Sequence, residues 1–272
     1  MSRTDLLEPP HLLSDLKQLK LPVIASHWQR LAAEATRKRQ PYPEYLAELA
    51  HLEVTHRREN RIKRRIQEAR FPVLKTLDAF DFSAQKGLER DQVLDLFRCD
   101  FVAEHGNVVL LGGVGTGKTH LAIALGIACC QREHRVRFTT AAELTNMLVE
   151  AKGDGRLSRK LEYLSRFDVV CLDELGYVPF DKLGADLLFS FITKVYERRS
   201  LIVTTNLAFG EWGKVFLDTQ AAAAVIDRIV HHAVVLKTEG ESYRLRAAKE
   251  KSRTQKRSEA TSEDRSGRTR KD

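Results

Sequence analysis

GGVGTGKTHL, at Gly112–Leu121, is the most informative stretch of the sequence. It fits the pattern G-x-x-x-x-G-K-[ST], whose fixed positions are Gly112, Gly117, Lys118 and Thr119. A glycine-rich turn of this kind points successive backbone N–H groups into a concave nest for phosphate oxygens. A helix beginning there adds the positive end of its dipole. The stretch therefore predicts a phosphate-binding loop, with an ordinary glycine turn as the alternative.

The sequence around this loop favours the phosphate-binding interpretation. Asn107–Leu111 is a short apolar run typical of a buried strand, and the apolar stretch His120–Cys130 supplies the helix. We expect ATP and Mg²⁺ as ligands, with Lys118 between the β- and γ-phosphates and the Thr119 hydroxyl on Mg²⁺. Two nearby aromatic residues, Phe80 and Phe82, could line the adenine side of the nucleotide site. The alternative is that both are simple packing residues. The predicted nucleotide-binding residues are Gly112, Gly113, Val114, Gly115, Thr116, Gly117, Lys118, Thr119, His120 and Phe82.

A second motif, FDVVCLDELG, occupies Phe167–Gly176. Its apolar residues Val169–Leu172 predict a buried strand that ends in Asp173 and Glu174. Ligands of α/β proteins bind outside the carboxyl ends of the strands, so the acidic pair lies at the appropriate end. We predict that Asp173 holds Mg²⁺ and that Glu174 polarises the attacking water.

Asn206 follows the predicted strand Ser200–Thr205. An amide at this position can hydrogen-bond both the γ-phosphate and the water. Strand-end asparagines are often simple turn residues. We nevertheless predict a catalytic role, because Asn206 falls at the same end of the sheet as Asp173.

Strands and helices alternate regularly in this part of the chain, which predicts an α/β fold with a five-stranded parallel sheet between helices. The other predicted strands are Arg135–Thr139 and Ala233–Leu236, and Thr140–Glu143 matches a capping box. Helical periodicity before the core predicts a small all-α N-terminal domain at residues 1–70. Residues 71–106 are predicted to form a linker and a leading helix, Gly87–Phe101. The ATPase core is predicted at 107–246, and a disordered basic tail at 247–272.

The composition is that of a globular protein, with 43% hydrophobic and 30% charged residues. The apolar runs are too short to span a membrane, and the N-terminus lacks the apolar segment of a signal peptide. The four cysteines form no CxxC pair and lie in apolar contexts, which indicates buried thiols in a reducing compartment. We expect a cytoplasmic protein that does not bind membranes.

The net charge of +8 is concentrated outside the predicted core. Residues 81–246 hold 21 Lys and Arg against 22 Asp and Glu, whereas residues 1–80 hold 15 against 10. Basic flanks on a neutral core favour a polyanionic partner, and nucleic acid, DNA or RNA, fits best. A solvated helix face is the alternative. The predicted DNA-binding residues are Arg57, Arg58, Arg61, Lys63, Arg64, Arg65, Lys152, Arg156, Arg159 and Lys160.

Two adjacent histidines, His231 and His232, precede the last predicted strand. No third ligand lies near them in the sequence, and a metal site needs at least three. We therefore predict structural or capping roles for this pair and no metal.

Three longer stretches resemble one family far more specifically than the phosphate loop does. They are FDVVCLDELGYVPF, RRIQEARFP before the core, and HHAVVLKTEGESYRLR after it. Together they resemble the IstB family, the transposition helper ATPases of insertion sequences, which belong to the AAA+ class and are related to DnaC helicase loaders. The resemblance covers about residues 6–246.

The resemblance implies an ATP-dependent homo-oligomer, a ring or a helical filament, that assembles on DNA and stimulates a cognate transposase. We expect the DNA to be duplex. Asp173 and Glu174 then correspond to the Walker B pair, and Asn206 to sensor 1. Arg228 corresponds to an arginine finger that completes a neighbouring subunit's site. The helical lid of many AAA+ proteins is expected to be missing or minimal, with Arg244 or Arg246 as substitutes for its arginine.

Three other functions are compatible with parts of the sequence. A helicase loader of the DnaC type shares the core, and a neighbouring transposase or replication gene would discriminate between the two. A small-molecule kinase is disfavoured by Asn206, by the Asp-Glu pair and by the basic flanks. A DNA-binding protein with an inactive nucleotide site is weakest, because every expected hydrolytic group is present.

Overall fold

The computed structural model describes residues 10–85, 87–177, 179–216, 219–240 and 242–243. The chain divides into two compact units, Met1–Arg64 and Arg65–Asp272. The predicted four-part domain organisation stays a prediction. The tail at 247–272 and the two lid candidates Arg244 and Arg246 lie outside the described residues.

The first unit is helical, as predicted. Helices α1 (Leu12–Gln18) and α2 (Pro22–Lys38) lie wholly in it, and α3 (Tyr42–Ala69) begins in it and runs past its boundary. Its small core is formed by Leu16, Trp28, Leu31 and Leu49. The buried carboxylate of Glu53 accepts hydrogen bonds from the backbone N–H groups of Val23 and Ile24, at 2.9 and 3.2 Å, and so caps the N-terminus of α2.

The second unit is built on a parallel sheet in the order β2-β3-β4-β1-β5. Its strands are β1 (Asn107–Gly112), β2 (Val136–Thr140), β3 (Val169–Leu175), β4 (Ser200–Thr205) and β5 (Ala233–Thr238). Its helices are α4 (Arg90–Leu96), α5 (Lys118–Gln131), α6 (Ala141–Gly153), α7 (Leu157–Leu164), α8 (Lys182–Val195), α9 (Gly213–Phe216) and α10 (Thr219–Val230). The predicted α/β fold with five parallel strands is confirmed.

Both faces of the sheet are buried, which explains why its strands are continuous apolar runs. Successive residues point to opposite faces, so Val108 and Leu110 pack under α5 whereas Val109 packs under α6, α8 and α10. The buried side chain of Asn107 hydrogen-bonds the start of β1 to β4 and to the end of α10. It accepts from Leu201 N–H at 2.8 Å and donates to the Ile229 carbonyl at 2.9 Å.

One expectation about local structure needs correction, and one helix was missed. The single leading helix over Gly87–Phe101 is wrong in extent, because α4 ends at Leu96 and Cys99 adopts a left-handed conformation with φ 60° before a 3-10 turn. Helix α8 was not predicted at all, although Asp181 caps it through a 2.7 Å bond from Gly184 N–H. The predicted capping box of α6, Thr140 with Glu143, is confirmed.

All four cysteines are free and buried, as the sequence indicated. Removal from water raises the pKa of the Cys130 thiol to about 12 and raises that of Cys171 well above its usual range. These two thiols are therefore protonated near neutral pH and unreactive. Among the described helices, none combines the length and the apolar content that crossing a bilayer requires.

Candidate nucleotide-binding site

The glycine-rich loop connects β1 directly to α5, as predicted. Gly117 adopts the left-handed conformation at φ 88°, and a Cβ there would lie 2.8 Å from the ring of Phe80. Glycine is required on both counts. A Cβ on Gly112 would meet the Thr238 carbonyl oxygen at 2.1 Å, so the last strand closes against the loop from its other side.

Lys118 and Thr119 begin α5 and carry the polar groups of the loop. The Lys118 ammonium donates to the carbonyls of Gly112 and Gly113, at 2.8 and 2.6 Å, and so lies over the loop. Thr116 supports the turn by donating to the Gly113 carbonyl at 2.8 Å, and its hydroxyl also lies 2.7 Å from that of Thr238. The loop is thus held in place by side chains of the chain itself.

Thr119 and Asp173 meet across the end of the sheet. The Thr119 hydroxyl donates to the two carboxylate oxygens of Asp173 at 3.0 and 3.2 Å, and Asp173 is only 5% exposed. Neighbouring oxygen ligands of an octahedral Mg²⁺, with bonds of about 2.1 Å, are about 3 Å apart. The two side chains therefore fit adjacent positions around Mg²⁺, which supplies charge neutralisation for phosphate oxygens when bound.

A β-bulge sets the direction of Glu174. In the pairing of β3 with β4, Leu172 lies opposite Val203 and Leu175 opposite Thr205, so two residues of β3 face one residue of β4. Glu174 is left-handed at φ 60° and exposed, whereas Asp173 before it is buried. A non-glycine residue in this conformation costs free energy, and such strain concentrates at functional sites.

Thr204 is the residue that faces this bulge, and sequence reasoning missed it. Its hydroxyl donates to Asp173 Oδ1 at 2.5 Å and accepts from the backbone N–H of Glu174 at 2.9 Å. One buried hydroxyl thus orients the Asp173 carboxylate and fixes the backbone of Glu174. Asn206 follows two residues later, half-buried at the end of β4 and at the same edge of the sheet as Asp173.

A cavity of about 600 Å³ adjoins the loop. Its size suits a nucleotide. Of the predicted residues, Gly115, Gly117, Lys118, Thr119 and His120 line it. The other lining residues are Val73, Lys75, Ala79, Phe80, Asp81, Ala84, Gln85, Ile123 and Tyr243.

The lining favours Phe80 over the predicted Phe82 as the aromatic contact of a nucleotide. Phe80 lies in the wall of the cavity, whereas Phe82 packs edge-on against Phe80 at 5.0 Å between ring centroids, with the Arg90 guanidinium 5.6 Å from its ring. Tyr243 also lines the cavity, and its N–H donates to the Gly115 carbonyl at 3.0 Å. In this part of the chain, sequence reasoning had pointed to Arg244 and Arg246 and not to Tyr243.

Arg228 lies far from this cavity. It is in the last turn of α10, and its carbonyl accepts from the Asn107 side chain at 3.4 Å, so it lies at the amino end of β1. Five residue steps of ~3.4 Å separate Asn107 from Gly112, or about 17 Å. The guanidinium donates to the Ala224 carbonyl at 2.9 Å and lies 5.0 Å from the Phe189 ring centroid.

The predicted DNA-binding residues fall into two groups. On α3, Arg58, Arg61, Lys63 and Arg64 are exposed, and Arg57 pairs with Glu53 at 2.9 Å. Arg65 is only partly exposed, and its Nη1 atom is enclosed by protein, so it offers less surface to DNA than the other residues of this group. The second group, Arg156, Arg159 and Lys160, lines a cavity of about 390 Å³ beside α6 and α7, and Lys152 is exposed nearby.

The sheet order, the loop between β1 and α5 and the Asp-Glu pair at the end of β3 define a P-loop protein of the AAA+ class. Solved structures agree on the fold. One is DnaI, with a TM-score of 0.52 and 21% identity over 61% of this chain and 91% of DnaI. Another is AMPPCP-bound DnaA from Aquifex aeolicus, with a TM-score of 0.51 and 20% identity over 65% of this chain and 54% of DnaA.

The family of IstB-like ATP binding proteins matches residues 14–252, and the chain belongs to it. Its relatives include an ATP-binding protein of insertion sequence IS21 from Pseudomonas aeruginosa, 40% identical over 85% of this chain and 87% of the relative. Another, from insertion sequence IS5376 of Geobacillus stearothermophilus, is 37% identical over 84% of this chain and 91% of the relative. The predicted family is confirmed.

The hydroxyl of Thr204 gives a specific prediction. Thr204→Val keeps the side-chain shape but removes one of the two hydroxyl donors to Asp173 and leaves the Glu174 N–H without its acceptor. We expect the rate of ATP hydrolysis to fall about 10–100-fold, as is usual for residues that orient metal ligands, with nucleotide affinity measured without Mg²⁺ unchanged. Thr145→Val is the matched control, since that buried hydroxyl only bonds the Ala141 carbonyl within α6. Parental turnover in Thr204→Val would contradict the positioning role.

Proposed function

We propose that the protein is a Mg²⁺-dependent ATPase that assembles on DNA and acts as a helper in transposition. The observation that carries the enzymatic part is the strand-end arrangement. The Thr119 hydroxyl and the Asp173 carboxylate lie 3.0 Å apart, and the adjoining bulge exposes Glu174. Membership in an ATP-binding family supports the choice of nucleotide.

In the proposed reaction, each side chain has one task. The loop N–H groups and Lys118 hold the phosphates, and Thr119 and Asp173 hold Mg²⁺. The Glu174 carboxylate accepts a hydrogen bond from the attacking water and orients it toward the γ-phosphorus. The Asn206 amide contacts the γ-phosphate and the same water from the next strand.

Arg228 supports assembly as a condition for hydrolysis. It lies about 17 Å from its own phosphate loop by the length of β1, so it cannot reach its own nucleotide. An arginine at that end of the molecule serves the site of a neighbouring copy. A head-to-tail contact of this kind repeats into a ring or a helical filament.

DNA is the proposed partner because basic side chains are exposed on α3 and also beside α6 and α7. Phosphate contacts by Lys and Arg supply most non-specific affinity for DNA. The relatives belong to insertion sequences, which favours a transposase as the protein partner over the helicase of a loader.

One experiment tests the whole proposal: ATP hydrolysis and particle size of the purified chain, with and without duplex DNA. We expect DNA to increase both. A protein that stays monomeric and hydrolyses ATP at the same rate in both conditions would contradict assembly on DNA. Stimulation by a replicative helicase, with no effect of a transposase, would favour the loader alternative.

The exposed face of α3 gives a quantitative prediction. The triple change R61A/K63A/R64A is expected to weaken DNA binding and to reduce the slope of log affinity against log salt by about 3, at ~0.9 per lost phosphate contact. The matched control is R37A/K38A/R39A, which removes three exposed charges from α2 and its end. If both triple variants change the slope equally, or if neither does, α3 is only a solvated helix face.

A further inference from the structure

The structure brings a third potential ligand to the two adjacent histidines. Glu197 follows α8, far away in the sequence, yet its Oε1 atom lies 3.9 Å from His231 Nδ1 and 3.8 Å from His232 Nε2. One ligand atom from each of the three side chains falls within 4.8 Å of the others. The sequence shows no third ligand near the histidine pair, and the fold supplies one.

We propose that Glu197, His231 and His232 bind a divalent transition metal ion, with Zn²⁺ as the representative. Two imidazoles and a carboxylate are a ligand set that suits Zn²⁺, and a water completes four-coordination. In a tetrahedral site with bonds of about 2.05 Å, ligand atoms are about 3.4 Å apart. The two distances from Glu197 Oε1 exceed this by about half an ångström, and the two histidine nitrogens lie within 4.8 Å of each other.

The side chains are free to make this adjustment, whereas their backbone is fixed. Each of the three is about half exposed, so small rotations about the side-chain bonds meet solvent on one side. The His231 N–H donates to the Asp227 carbonyl at 2.9 Å, and the His232 carbonyl accepts from Asn107 N–H at 2.8 Å. Metal affinity benefits when such anchoring places ligands in advance.

Tyr196 supplies an outer hydrogen bond to the cluster. Its hydroxyl lies 2.9 Å from His231 Nδ1 and also bonds the carboxylate of Glu197. A phenol hydroxyl is a hydrogen-bond donor, and a carboxylate only accepts, so Tyr196 donates to Glu197. When the metal takes His231 Nδ1, the hydroxyl keeps its bond to Glu197 and orients that carboxylate.

The charges around the cluster are balanced. The Arg228 guanidinium lies 6.0 Å from the Tyr196 ring centroid and opposes a cation, and the neighbouring Asp227 carboxylate offsets it. The carboxylate of Glu197 then provides the net attraction. Without a metal, two exposed histidine–glutamate ion pairs would add little to the stability of the fold. Ion pairing alone therefore does not explain the cluster as metal binding does.

The test is Zn²⁺ titration of the full chain without a histidine tag, by calorimetry, with Co²⁺ absorption as a second measurement. We expect one site per chain and the visible bands of four-coordinate Co²⁺. Glu197→Gln and His232→Ala should each lower the Zn²⁺ affinity at least about tenfold and remove the Co²⁺ bands, and Tyr196→Phe should lower the affinity about 10–100-fold. Bound Zn²⁺ should also raise the thermal midpoint of the parent but not of these variants.

H51A/H56A is the matched control, since it removes two exposed histidines from α3. This control should bind Zn²⁺ with parental affinity. The proposal is overturned if the parent shows no saturable site, if Glu197→Gln binds as tightly as the parent, or if the control loses affinity equally. Glu197→Gln changes no backbone contact, so it keeps the test decisive if a histidine variant does not fold. ATP binding serves as an independent check of the fold.

Discussion

Glu174→Gln is expected to slow ATP hydrolysis by about 10²–10⁴-fold and to leave ATP affinity unchanged. The amide has the size of the carboxylate and can still hydrogen-bond water. It cannot accept a proton, however, and it carries no charge to polarise the nucleophile. Because Glu174 is exposed and left-handed at the bulge, its side chain makes no buried contact that the substitution would disturb. The chemical step alone should change.

The measurements are ATP binding by fluorescence and a single-turnover assay of phosphate release. A single turnover separates the chemical step from product release, so that the loss can be assigned to hydrolysis. Glu104→Gln is the matched control, because Glu104 is an exposed glutamate of the same unit away from the loop. A Glu174→Gln protein that turns over ATP at the parental rate would show that another group orients the water.

The sequence predicted those parts of the site that depend on residues adjacent in the chain. The glycine loop between β1 and α5 follows from a single local pattern. The strands β1, β3 and β4 followed from unbroken apolar runs, because a parallel sheet covered on both faces needs no polar side. Asp173 and Glu174 were found because they directly follow such a run.

The parts that were missed depend on pairing between distant segments. The bulge at Glu174 exists only in the register of β3 against β4, and Thr204 looks like an ordinary β-branched strand residue until it lies opposite that bulge. Phe80 and Phe82 are equivalent in sequence, and only the fold places one of them against Gly117. Glu197 meets His231 for the same kind of reason, since the end of α8 and the start of β5 are neighbours only in space.

Arg228→Ala is the second large effect. We expect ATP binding to stay at the parental level while DNA-stimulated hydrolysis falls about 10³-fold, because an arginine finger stabilises the charge that develops on the phosphates. Arg228→Lys should also be slow, since an ammonium lacks the planar fork of donors. The measurement is steady-state phosphate release with and without duplex DNA, with the thermal midpoint checked for loss of the Phe189 contact.

Arg198→Ala is the matched control for this prediction. Arg198 is an exposed arginine between α8 and β4, close in sequence to the Tyr196 ring that Arg228 approaches. Its removal should leave turnover within about twofold of the parent, as is usual for exposed residues away from a site. If Arg198→Ala is slow and Arg228→Ala is not, the finger has been assigned to the wrong arginine.

Mixing variants distinguishes action between subunits from a local defect. Lys118→Ala lacks a working nucleotide site but carries an intact Arg228, and Arg228→Ala has the opposite combination. In a random equal mixture, roughly one quarter of head-to-tail contacts pair an intact site with an intact arginine. Turnover should therefore recover to about a quarter of the parental rate. An arginine that acted within its own subunit would give no recovery, because each variant alone would remain inactive whatever its neighbour.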